Sequence, residues 1–68
     1  MTNTALLMDC IDKSGLKKGH IAKCLGITAQ SLNNKINNKS EFKGSEMETI
    51  GKLLGIDNRV RDQIFFAR

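Results

Sequence analysis

An all-α fold of five short helices is what this sequence predicts, on three observations. The 68 residues contain no proline, the residue that breaks helix interiors. There is one valine, Val60, and no β-branched or aromatic run longer than Ile27-Thr28, Thr49-Ile50 or Phe65-Phe66, whereas strands favour such runs. Apolar residues recur at helical spacing in stretches separated by glycine or polar turn residues. With 40% apolar and 26% charged residues, the composition is that of a globular protein rather than a disordered one. At this length the expected architecture is one compact five-helix bundle, a single domain over residues 1–68. So short a chain buries only about 60% of the surface it exposes when unfolded, which excludes a large cavity between domains.

Each element has its own signal. Leu6, Leu7, Cys10 and Ile11 form the first stripe; Thr2, Asn3 or Thr4 can cap it and Gly15 stops it, so the first helix is expected over Thr4–Ser14. Ile21, Ala22 and Leu25 form the second stripe, which Gly26 ends. Thr28 is a good N-cap for a third helix, Ala29–Ile36, with Leu32 and Ile36 inward. Asn37-Asn38-Lys39-Ser40 reads as a turn, and Phe42 as a plug over the core. Ser45 with Glu48 matches a capping box for a fourth helix, in which Met47, Ile50, Leu53 and Leu54 face inward and Gly51 marks close packing. Gly55 stops that helix. Asp57 or Asn58 caps the fifth, whose apolar side is Val60, Ile64 and Phe65.

Several function classes fall away. The longest aliphatic run is Ala5-Leu6-Leu7-Met8, and a membrane span needs about 20 apolar residues. No secretory signal opens the sequence, and Cys10 and Cys24 lie in apolar-periodic segments, so reduced core thiols in a cytoplasmic protein are expected. His20 is the only histidine, with no cysteine or serine arranged around it as a nucleophile pair, and two cysteines fourteen apart give no zinc spacing. No enzyme, cofactor, metal or small-molecule substrate is expected.

Charge is unevenly placed. Residues 13–43 carry seven lysines and one acid, Glu41, for +6; the rest carry four basic and six acidic groups, for −2, summing to the net +4. A basic block with mildly acidic flanks is what a polyanion-facing surface looks like in sequence.

The informative stretch is Lys18-Gly-His-Ile-Ala-Lys-Cys-Leu-Gly-Ile-Thr-Ala-Gln-Ser-Leu-Asn-Asn-Lys35. Ala22 is small where two short helices come close, and Gly26 supplies the positive φ of a short turn. Ile21, Leu25, Ile27 and Leu32 hold that corner to the core, leaving Ala29, Gln30, Asn33 and Asn34 outside. This spacing resembles the helix-turn-helix, over about residues 18–36, of the phage Cro and CI repressor family, a lambda-repressor-like DNA-binding domain. The five-helix order extends the resemblance over most of the chain. Phe42, Ser45-Glu46 and Leu53-Leu54-Gly55-Ile56 also look like temperate phages of Gram-positive hosts. One departure is Lys35, where the family usually has an apolar residue; Ile36 is expected to supply that packing.

The resemblance implies a regulator of the lysis–lysogeny switch, acting on double-stranded operator DNA in the cytoplasm of a bacterial host. The third helix would enter the major groove, where Gln30 and Asn34, with Asn33, read bases and Ala29 meets a thymine methyl. Lys18, Lys23, Lys35, Lys39 and Lys43, with Thr28 and Ser31, would hold phosphates. From Ala29 to Asn34 that face carries no charge, so it also suits a protein partner. Small modulators of repression, or antirepressors, share the fold and engage the CI repressor, with or without DNA. The length resembles the short Cro-like or modulator members rather than full-length CI repressors. Phe65 and Phe66 cannot both enter one small core from adjacent helical positions, so one of them is expected at a partner interface, either with a second copy or with the repressor.

Overall fold

The computed structural model describes residues 1–66; Ala67 and Arg68, the end of the expected domain, lie outside the described residues. Five helices follow in order: α1 Thr4–Ser14, α2 Lys18–Leu25, α3 Ala29–Ile36, α4 Gly44–Leu54 and α5 Asn58–Phe65. Among the described residues there is no strand. The Cα radius of gyration is 10.5 Å, against about 11 Å for a single packed unit of this length.

Three helix starts follow from short polar side chains. Asn3 Oδ1 accepts from the Leu6 amide at 3.1 Å, Thr28 Oγ1 from Ser31 at 3.0 Å, and Asp57 Oδ1 from Val60 at 2.9 Å. Each bond satisfies a first-turn N–H that has no partner within its helix. After α2, Gly26 takes φ 73°, so its amide reaches back to Lys23 O and the Ile27 amide to Ala22 O. That left-handed residue turns the chain into α3 within three residues.

The start of α4 differs from the expected Ser45–Glu48 box. Its N-cap is Lys43, whose backbone amide donates to Glu46 Oε1 at 2.8 Å. Ser45 is exposed, and Glu48 lies 3.9 Å from Lys52 on the surface. The frame shifts because Glu46 is drawn inward by a second partner, Lys35, described below.

Leu7 and Ile11 of α1, Ile21 and Ala22 of α2, Leu32 and Ile36 of α3, Ile50 of α4, and Ile64 and Phe65 of α5 form one buried cluster with Phe42. Phe42 belongs to that core, its ring meeting Phe65 edge-on with centroids 5.2 Å apart. Burying each large side chain is worth about 1.5–3 kcal/mol. The packing partners of α4 include α1, α2 and α5; Gly51 is buried, with Arg61 Cδ 3.4 Å from where a Cβ would stand.

The N-terminal residues are tied to two helix ends. Asn38 adopts φ 63°, and its side chain exchanges a pair of bonds with the Thr2 backbone, at 2.8 and 2.9 Å. Thr4 Oγ1 donates to Ile36 O at 2.6 Å, and the Asn3 amide donates to Ile64 O at 2.6 Å.

Candidate nucleic-acid interface

α2 and α3 pack against each other, with Ile21, Ala22, Leu32 and Ile36 on their buried sides. Ala29 and Gln30 are left exposed at the start of α3, while Ser31, Asn33 and Asn34 are half-buried. Gln30 Nε2 donates to Asn34 Oδ1 at 3.3 Å, as residues one turn apart on one side of a helix can. The two amides form a polar pair that keeps unused donor and acceptor positions for a ligand. Thr28 is exposed at the end of the turn, its oxygen occupied by the Ser31 amide but its hydroxyl proton free to donate.

Of the lysines expected to hold phosphates, Lys23, Lys39 and Lys43 are exposed and Lys18 is half-buried. The Lys39 amide donates to Asn34 O at 2.8 Å, so its backbone folds back on the end of α3. Lys35 does not belong with them. Only 8% exposed, it places Nζ 2.6 Å from Glu46 Oε1 in a buried ion pair. A side chain so held cannot reach a phosphate. Both Lys35 and Ile36 pack inward, the lysine being accommodated because a carboxylate from α4 meets it. Lys13 is paired with Asp9 at 2.9 Å. Of the seven lysines in residues 13–43, five therefore remain without an ion pair among the described residues: Lys17, Lys18, Lys23, Lys39 and Lys43.

Two opposing effects act on Glu46. Burial pushes its carboxyl up, but the hydrogen bonds from the Lys35 ammonium and the Lys43 amide, with the charges of both lysines, outweigh burial and hold it below the usual carboxylate range. The charged form is the one built into the fold.

The two terminal phenylalanines separate cleanly. Phe65 is buried against Phe42 and so is not an interface residue, whereas Phe66 is 61% exposed. Phe66 stands at the rim of a shallow groove that Met1, Phe42 and Met47 also line.

Comparison with protein-family models, curated proteins and solved structures finds no match.

Two features of α2 depart from expectation. Cys24 is exposed rather than a core thiol, and Cys10 is half-buried. Cys24 Sγ lies 3.6 Å from His20 Nε2, so the histidine does have a cysteine beside it, one helical turn away. Among the described residues, no group of three or more His, Cys, Asp or Glu side chains could hold a metal ion. Glu46 and Asn38 are two positioning residues that no motif singled out. The signal for Glu46 was its place three residues after Lys43, the capping frame that competes with Ser45–Glu48. For Asn38 the residue type was the signal, since asparagine tolerates positive φ better than other side chains.

Proposed function

We propose that the chain is a transcriptional regulator of a phage lysis–lysogeny switch that binds operator DNA through a helix-turn-helix formed by α2 and α3. The observation that carries this reading is the outer face of α3. Ala29 and Gln30 are exposed, and Gln30 is paired with Asn34, on a helix whose other side is sealed by Leu32, Lys35 and Ile36. With α3 in the major groove, the Gln30 or Asn34 amide matches the adjacent acceptor and donor of adenine, and the Ala29 methyl suits a thymine methyl. Lys18, Lys23, Lys39 and Lys43, helped by the Thr28 and Ser31 hydroxyls, hold the flanking phosphates and give affinity without sequence choice. No catalytic step is required of any residue.

A second reading is favoured by the exposed Phe66 and the uncharged face of α3. In it, the chain is a modulator of repression that captures the phage CI repressor by protein contact, with or without DNA. Titrating the protein against labelled promoter DNA, with and without the cognate repressor, tests both. Sequence-specific binding by the protein alone supports the first reading. A shift only when repressor is present supports the second, and no effect in either mixture overturns both.

A further inference from the structure

His20 and Cys24 are the pair of chemically competent side chains that the proposed DNA contacts leave unused. Both are exposed, on successive turns of one helix, with Sγ 3.6 Å from Nε2. Zinc binds histidine nitrogen at about 2.0–2.1 Å and cysteine sulfur at about 2.3 Å, so a tetrahedral angle sets the two donors about 3.5 Å apart. A square-planar angle would set them about 3.1 Å apart, from the same bond lengths. The observed separation is therefore the edge of a tetrahedron, and imidazole and thiolate are donors that zinc accepts. Helix α2 already holds them at that spacing, and no backbone movement is needed.

One chain supplies only half of such a site, because among the described residues no third ligand joins the pair. Structural zinc sites are almost always closed by four protein donors. The missing two are available on a second copy, since a two-fold axis brings a surface patch onto itself. We propose that two copies of this chain share one zinc ion, held by His20 and Cys24 of each. On binding, each Cys24 thiol gives its proton to solvent and its sulfur lone pair to the metal. Two thiolates then balance the charge of one Zn²⁺, so the bridge adds no net charge where two basic chains meet. The pairing is independent of whether the chain binds DNA.

The test uses the reduced full chain and Co²⁺ as a spectroscopic substitute for Zn²⁺, followed by Zn²⁺ itself. The expected result is a thiolate-to-cobalt charge-transfer band with intense tetrahedral visible bands, saturating at one ion per two chains. Sedimentation should show a doubling of mass with Zn²⁺ that a chelator reverses. His20→Ala and Cys24→Ser should each abolish the bands and the doubling while leaving the metal-free melting curve nearly unchanged, since both side chains are on the surface. Cys10→Ser should leave everything intact. Absence of the charge-transfer band, its survival in Cys24→Ser, or saturation at one ion per chain without a change of mass overturns the proposal.

Discussion

The ammonium of Lys35, near the end of α3, and the carboxylate of Glu46, in the first turn of α4, are 2.6 Å apart in the interior. The Glu46 oxygen that receives Lys35 also accepts the Lys43 amide at 2.8 Å. One carboxylate thus caps α4 and neutralises α3, fixing the two helices to each other. Taking two charges out of water is costly, and the pair persists because both ions keep hydrogen bonds.

Removing one partner should be far more damaging than removing both. Lys35→Met leaves the Glu46 charge buried with only the Lys43 amide, and is expected to cost about 3 kcal/mol. Lys35→Met combined with Glu46→Gln keeps an acceptor for that amide and removes both charges, and should recover most of the loss. Urea denaturation of the three proteins measures it, and equal losses in single and double variants would contradict the assignment.

Acid should act through the same carboxylate. The Glu46 carboxyl sits below its ordinary value in the folded chain, so the unfolded chain binds the proton first as pH falls. Its contribution is complete above the unfolded value, about 4.3, and is lost as pH drops through the depressed folded value. Glu46→Gln should be less stable at neutral pH and show a flatter stability profile below about pH 4.3. Thermal melts from pH 7 to pH 2 read both.

Salt should weaken duplex binding less than a count of seven lysines implies. Five lysines without ion pairs could contact phosphates, and a duplex loses roughly a hundredfold in affinity between 50 and 200 mM salt when about four are neutralised. Lys18→Glu and Lys39→Glu should reduce affinity and slope together. A flat response of the unaltered protein would remove the DNA-facing role.

Changes on the face of α3 separate the two functional readings. Gln30→Ala or Asn34→Ala should cost an operator-binding protein about 1–3 kcal/mol of discrimination per bidentate contact, with non-specific binding retained. A modulator should instead lose capture of the repressor. Measuring both bindings on both variants decides it, and if neither changes, α3 is not the working surface.

The terminal phenylalanines should behave oppositely. Phe65→Ala empties a core position and is expected to cost about 3–5 kcal/mol, enough to unfold much of so small a protein. Phe66→Ala should leave the melting temperature almost unchanged and weaken only association with a partner, read by sedimentation and repressor pull-down. A large thermal loss in Phe66→Ala would place that ring in the core.

Local chemistry made much of this legible before any coordinates. The ends of α1 and α3 follow from Asn3, Gly15 and Thr28, whose capping and left-handed geometry act within a few residues. Gln30 and Asn34 share a side because helical spacing alone requires it. Long-range pairing hid the rest. Lys35 reads as a surface cation until Glu46, eleven residues away in another helix, is seen to meet it. The start of α4 was misplaced for the same reason, since the two capping frames differ in what else their glutamate touches. Which phenylalanine is buried depends on Phe42, whose position in the connection no periodicity fixes.

The paired bonds between Asn38 and Thr2, with those from Asn3 and Thr4 to Ile64 and Ile36, give the first four residues a dynamic role. If that segment lifts away, the terminal carbonyls of α3 and α5 lose their acceptor roles in one event. The ends of two helices that are distant in sequence therefore fray together as one cooperative unit. Amide exchange at Thr2 and Asn3 should rise and fall with exchange around Asn38, whatever surface α3 presents to a ligand.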